Sequence, residues 1–247
     1  MAGNFVQLHN HTHYSLLDGA SKVPDLVKRV KELGMPAVGI TDHGNMHGAY
    51  ELWRAAVDSG VKPIIGIEAY VTPETARQDK TRVSWDTNWT PVPGHARNPD
   101  DVSGGGLITH LTMWAENDEG LVNLIKASSV ANLEGRVMRY PRMDKEVLST
   151  YSKGVIASSG CPSGIIQTRL RLGQFDEALR AAGEFQDIFG KDNFYIELMD
   201  HGLSIESKVT GDLLTIAKKL GAPLLATNDS HYVMEADKDV QDAMLCI

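Results

Sequence analysis

The 247 residues, 42% hydrophobic and 23% charged, are enough for a sizeable buried core and fit one α/β barrel. A net charge of −8 argues against a free-standing nucleic-acid binder, which carries a basic face, but not against a nuclease whose carboxylates hold metal. No apolar run approaches the ~20 residues of a membrane span, no basic-then-apolar leader opens the chain, and two distant cysteines make no disulfide framework, so a cytoplasmic protein away from membranes is expected.

In chain order, short apolar runs alternate with amphipathic stretches. FVQLH (5–9) precedes a helix over about 23–33 stopped by Gly34, and AVGIT (37–41) precedes a helix from about Gly48 to Asp58. PIIGIEAYV (63–71) follows, and LITHLTMWA (107–115) leads into EGLVNLIKASSVANL. GVIASS (154–159) precedes IIQTRL and FDEALRAAGEFQDIF. FYIELM (194–199) precedes ESKVTGDLLTIAKKL, stopped by Gly221, and PLLAT (223–227) precedes a terminal helix. This βα rhythm predicts a parallel sheet, doubly wound or closed. Residues 72–106 interrupt it: they are polar, rich in Pro, Gly, Asn and Asp, and contain Trp85 and Trp89, as expected of a functional or mobile inserted loop. EADKDVQDAMLCI reads as a helix without a stop, so the chain is expected to be the first part of a longer protein.

The expected strand ends carry the chemistry. They deliver His9 and His11, with Asp18 shortly after, then Asp42-His43, Glu68, His110, Cys161, Asp200-His201 and Asp229-Ser230-His231. In a β/α barrel strand C-termini meet at one rim, whereas an open sheet would spread seven ends too widely for one cluster. The fold expected is therefore a closed seven-stranded β/α (TIM-like) barrel with a metal cluster at its C-terminal rim. His9 and His11, like Asp229 and His231, are two residues apart, so on extended backbone each pair points one way. Imidazole, carboxylate and one thiolate suit zinc, with manganese or iron as alternatives. The set exceeds one ion's needs, and ions ~3.5–4 Å apart suit in-line displacement at phosphorus.

Plainer roles compete at several positions. His47 and His95 are read as structural, and His13 is ambiguous because it continues the His9-His11 alternation. Asp42 could orient a ligating imidazole, cap a turn or line the substrate pocket, and His201 could contact substrate rather than metal. Asp18 could be a turn residue and Cys161 a small buried one. No phosphate-binding Walker loop and no G-x-S-x-G nucleophile elbow occurs.

LHNHTHYSLLDGA, GITDHGNMHGAYE, KPIIGIEAYV, IASSGCPSG and LATNDSHYV closely resemble the polymerase-and-histidinol-phosphatase (PHP) domain, in the version found at the N-terminus of bacterial replicative polymerase α subunits. The resemblance covers essentially the whole chain. It implies a distorted seven-stranded β/α barrel binding three divalent ions through nine residues, zinc first among the candidates. His9, His11, Glu68 and Asp229 would hold one ion. Glu68, His110 and Cys161 would hold a second, and Asp18, His43 and His231 the third. None of the nine positions has lost its ligating side chain, which implies an active site. Glu68 and Asp229 would then be catalytic through metal-activated water, with Asp42 and His201 lining the substrate. The implied function is a proofreading 3′→5′ exonuclease acting on a DNA primer end, with the other polymerase domains and replisome subunits such as the sliding clamp as partners. A small-molecule phosphatase of the histidinol-phosphatase type and a metal-stabilised structural module are the competing readings.

Overall fold

The computed structural model describes residues 5–86, 90, 98, 100–101 and 105–247. His95 and Trp89, singled out above, lie outside the described residues. The strands are β1 (Ala37–Ile40), β2 (Lys62–Val71), β3 (Thr109–Ala115), β4 (Arg136–Val137), β5 (Tyr140–Met143), β6 (Val155–Ser158), β7 (Phe194–Leu198) and β8 (Leu224–Ala226). The helices are α1 (Val23–Glu32), α2 (Ala49–Ser59), α3 (Asp118–Glu134), α4 (Lys145–Thr150), α5 (Ile165–Arg171), α6 (Phe175–Phe189), α7 (Ser204–Leu220) and α8 (Lys238–Met244). Among the described residues no helix is long and apolar enough to cross a membrane.

The chain folds as α/β around one mixed eight-stranded sheet of order β4-β5-β2-β3-β6-β7-β8, with β1 also paired to β2. This corrects the expected parallel barrel in two ways. First, β3 is antiparallel to both its neighbours, β2 and β6. Apolar periodicity reports which face of a strand is buried and says nothing about its direction. Second, the sheet is not closed by a continuous ladder. The expected first strand, residues 5–9, makes only isolated bridges, Gln7 to Val38 of β1 and its neighbour Asn10 to Ser230 beyond β8. A few backbone hydrogen bonds hold it there, Gly39 N–H to Gln7 O (2.8 Å) and Thr41 N–H to Asn10 O (2.9 Å) on one side, Ser230 N–H to His9 O (3.1 Å) and His11 N–H to Ser230 O (2.8 Å) on the other, while Trp114 Nε1–H donates to Leu8 O (3.1 Å). Gly39 permits this approach, since a Cβ there would lie 2.6 Å from Leu8 O.

Packing follows the patterns. Val23, Leu26, Val27 and Val30 form the buried stripe of α1 and meet Val38, Ile40, Leu52 and Ala56. A larger cluster joins β2, β3, β6 and β7 to α3, α6 and α7 through Ile67, Leu111, Met113, Leu124, Phe185, Phe194 and Ile216. Fully burying each Leu, Ile or Phe contributes about 1.5–3 kcal/mol, which fixes the strand register above.

The described part of the 72–106 segment is pinned to the body. Trp85 is buried, with the Arg169 guanidinium 4.3 Å from its ring centre, and Gln174 Nε2–H donates to Trp85 O (2.7 Å). The β4–β5 hairpin was not expected, because Pro141 and Arg142 break any apolar run in RVMRYPRM.

Candidate metal centre

Each ligand-type side chain arrives by a local rule. Along residues 9–11 the backbone alternates, so His9 and His11 face inward while Asn10 turns to β1 and donates to Gly39 O (2.8 Å). Asp229 adopts φ 43°, a left-handed conformation that Asp tolerates better than most residues. Glu68 sits at full burial on β2. His110 is at the start of β3, and because β3 runs antiparallel its start lies where parallel strands end. The cluster is therefore not assembled from C-terminal strand ends alone.

All nine residues named for the metal set come together. Glu68 is the hub: His11 Nε2 lies 3.2 Å and His43 Nδ1 2.8 Å from its Oε2, and His110 Nδ1 lies 3.2 Å from its Oε1. Asp229 Oδ1 stands 3.2 Å from His9 Nε2 and 3.1 Å from His11 Nε2. Asp18 Oδ2 is 2.6 Å from His43 Nε2 and 3.6 Å from His231 Nε2, and Cys161 Sγ is 3.4 Å from His110 Nδ1. Three compact groups could each hold an ion: His9, His11 and Asp229; His43, Glu68 and His110; and His11, His43 and His231. The first group matches the sharing implied by the resemblance, and the other two cut across it, because His43 reaches Glu68 through Nδ1 (2.8 Å) as well as Asp18 through Nε2 (2.6 Å).

Two observations test whether cations fit. His9 Nε2, His11 Nε2, His43 Nδ1, Glu68 Oε2 and Asp229 Oδ1 are all buried without a hydrogen-bond partner. Buried polar atoms are rarely left so, and five orphans aimed at one another form a ready-made cation cage. The field also favours positive charge. Burial alone would depress the His43 pKa, yet Glu68 and Asp18 outweigh it and raise it to about 10. Burial is likewise outweighed at His9, raised by Asp229 and Glu197, and at Glu68, lowered by His110 and His43. The donor set is N, O and S, so the residues present fit divalent ions.

Supporting groups set the tautomers. His9 Nδ1–H donates to Glu197 Oε1 (2.7 Å), which leaves Nε2 as the inward lone pair. Glu197 is itself buried and accepts from Ser158 and Thr227. Sequence reasoning missed it; the available signal was a lone carboxylate inside the apolar run FYIEL. His11 Nδ1 faces Ser15 Oγ (3.0 Å), and Ser15 donates to Asp42 Oδ1 (2.7 Å). Asp42 is buried and also accepts from Thr12 N–H (2.6 Å), so the structure places it behind His11. His231 Nδ1–H donates to Asp229 O (2.8 Å), and Gln241 of α8 donates to Asp18 O.

The remaining candidates stand apart. His201 uses both ring nitrogens, on Glu206 Oε1 (2.5 Å) and on Asn228 O (2.8 Å), and so ties the start of α7 to the residue before Asp229. His13 lies near Ser21 O and 4.0 Å from Glu51, and His47 is exposed ahead of α2.

Comparisons with known proteins agree with this geometry. Residues 7–201 match the PHP domain. DNA polymerase III subunit alpha of Mycobacterium leprae is 51% identical over 99% of this chain, and that of Saccharopolyspora erythraea is 53% identical over 98%. The chain spans about 20% of the length of these relatives. Among solved structures, an amidohydrolase from Chromobacterium violaceum, with bound sulfate and no metal, superposes with TM-score 0.53 at 14% identity, covering 98% of this chain and 97% of that one, a likeness of fold. A buried cage of histidines and carboxylates within a matching sequence of this extent identifies the chain as a member of the PHP domain family, similar over nearly its full length to part of bacterial DNA polymerase III α subunits.

Proposed function

We propose that this chain is the metal-dependent phosphoesterase domain of a bacterial replicative DNA polymerase and removes nucleotides from the 3′ end of a primer strand. The observation that carries this reading is the convergence of five orphaned buried atoms from His9, His11, His43, Glu68 and Asp229. A cage built only for stability would have its polar atoms satisfied by protein partners.

The ligands are the nine residues gathered above, which would hold up to three divalent ions, with zinc favoured by the sulfur of Cys161, a thiol that burial keeps protonated until an ion displaces the proton. Bound there, the ions supply Lewis acidity toward phosphoryl oxygens and lower the pKa of an attacking water. The chain's own residues do the rest. Glu68 and Asp229 draw the histidine pairs together. Glu197 and Ser15 hold the His9 and His11 tautomers so that Nε2 faces inward. Burial of the cluster floor keeps competing water from the inner ligands and strengthens every charge interaction there. The rest of the polymerase chain and the sliding clamp would deliver the primer end, and the basic contacts that an acidic domain lacks would come from those parts.

The test is shortening of a primer–template with a mismatched 3′ end, without nucleotides, by the polymerase carrying this domain and by its Asp229→Asn variant. Stepwise shortening by the parent, and its loss in the variant, is the expected outcome. Equal shortening by both would assign the activity to another site. No shortening by either, with metal bound, would leave a structural metal module.

A further inference from the structure

The metal-ligating histidines continue outward into an aromatic wall. Tyr70 lies two residues beyond Glu68 on β2, so both side chains rise on the same face of the sheet. Its ring lies 5.9 Å from that of His43 at 15°, and meets the His110 ring nearly edge-on at 5.4 Å. Gly44, immediately after His43, makes room for it: a Cβ there would sit 2.8 Å from the Tyr70 ring. Tyr140 of the hairpin then packs edge-on against Tyr70, with ring centres 5.0 Å apart. Outermost is Arg139, its Cζ 5.2 Å from the Tyr140 ring centre.

The hairpin is shaped to present this arginine. Val137 pairs with Tyr140, so Met138 and Arg139 form a two-residue turn, and Met138 takes φ 54°. Arg139 is exposed and forms no ion pair with any described residue. Arg77, Arg169 and Arg180 all hold carboxylates, Arg142 is buried on backbone carbonyls, and Arg136 of the same hairpin donates to Met138 O (3.4 Å). The Arg139 charge nevertheless senses the centre, being stabilised by Tyr140 first and then by Tyr70 and the ligand Asp18. An exposed guanidinium held beside the Tyr140 ring, one step from a cage suited to phosphate chemistry, matches a nucleotide end. Guanidinium recognises phosphate through a two-pronged donor fork, and an aromatic face takes any base by stacking.

We propose that Arg139, Tyr140 and Tyr70 form a recognition subsite for a nucleoside 5′-monophosphate unit, with Arg139 on the phosphate and the half-buried Tyr140 ring against the base. This rests on the phosphoesterase reading for its purpose, since a nucleoside 5′-monophosphate is the unit a 3′→5′ exonuclease releases. It differs from that reading in its test, which is binding.

The experiment is calorimetric titration of the metal-loaded chain with thymidine 5′-monophosphate, thymidine and inorganic phosphate, for the parent, Arg139→Ala, Arg139→Lys and Tyr140→Ala. Metal content and melting temperature are measured alongside, since Arg139 is exposed but Tyr140 packs on Tyr70. Arg139→Ala should weaken the monophosphate and inorganic phosphate about tenfold and leave thymidine unchanged, and Arg139→Lys should recover part of the loss. Tyr140→Ala should weaken the monophosphate and thymidine about tenfold and leave phosphate unchanged. The proposal is overturned if neither variant shifts any dissociation constant, or if the parent binds the monophosphate no tighter than phosphate. If the predicted pattern appears in a protein that shortens no primer, the subsite stands and the exonuclease reading falls.

Discussion

Two clusters of charge, one around Glu68 of β2 and one around Arg142 of the neighbouring β5, are built on opposite plans. Around Arg142 every guanidinium nitrogen is bonded: the fully buried side chain gives to the main-chain oxygens of Gly135 (3.2 Å), Leu107 (3.3 Å), Arg77 (2.6 Å) and Asp79 (2.7 Å). Beside it Arg77 holds Asp144, Glu134 and Glu146. Around Glu68 the bonding is incomplete: its Oε1 meets His110 Nδ1 (3.2 Å), but five other ligand-type atoms of the cluster face one another without a hydrogen-bond partner. A charge cluster that serves the fold closes on itself, whereas one that serves a ligand leaves its valences pointing at a common centre. Burial and residue type alone do not separate the two; completeness of hydrogen bonding does.

The comparison breaks most readily at Arg142. Arg142→Ala removes the side-chain donor from the carbonyl groups of Leu107, Arg77 and Asp79 and leaves Gly135 O only the backbone N–H of residue 142, a loss of about 3 kcal/mol or more of stability. For a chain of this size that lowers the melting temperature by about 6–12 °C. The drop should be the same size whether or not a chelator is present, because no part of the Arg142 cluster waits for metal. Chelation by itself should lower the parent's melting temperature through lost binding energy. Thermal melting of parent and variant, each with and without chelator, checks both statements. A variant that melts with the parent, or a parent indifferent to chelation, would erase the distinction between the clusters.

The sequence makes the second cluster far more legible than the first. His9-Asn10-His11 and Asp229-Ser230-His231 carry a period of two that needs only extended backbone to become convergent. Glu68 stands out as a carboxylate inside PIIGIEAYV for the same reason. Strand direction was hidden, so the route by which His110 reaches the rim could not be read: it stands at the start of an antiparallel strand, not the end of a parallel one. Closure was hidden too, since residues 5–9 look like a strand but touch the sheet at single bridges. Arg142 gave no signal at all. Its partners are backbone oxygens from the Arg77–Asp79 stretch, Leu107 and Gly135, which only the folded chain brings together. The Asp200-His201 pair drew the eye past Glu197, three residues earlier and within the strand, where the buried partner of His9 actually stands.

Glu197 sharpens the comparison, because it belongs to the open cluster yet is itself fully bonded. Glu197→Gln keeps the shape and an acceptor oxygen for His9 Nδ1–H but removes the charge that makes His9 a stronger ligand. Loss of such an outer partner reduces metal affinity on the order of 10–100-fold. Competition against a chromophoric chelator measures it, with the melting temperature of the metal-free protein as control. Unchanged affinity with a lower melting temperature would move Glu197 to the closed, fold-serving class.

The smallest effect tests the closed class by pH. Glu74, in the inserted segment, receives Arg169 (2.6 Å) and Arg180 (2.6 Å). Burial by itself would raise its pKa, but Arg180 and Arg169 outweigh that and hold it below the usual glutamate value. A carboxylate depressed in the folded state adds stability above the unfolded pKa of about 4.3, and that contribution fades as pH falls through the folded value. The difference in melting temperature between the parent and Glu74→Gln should therefore be widest near neutrality and narrow below about pH 4. Measuring the difference rather than either curve cancels the other acids that titrate there. A gap that stays constant with pH would mean that Glu74 works by hydrogen-bond geometry and not by charge. The segment's docking to α5 and α6 would then be as closed and charge-independent as the Arg142 cluster is on its carbonyls.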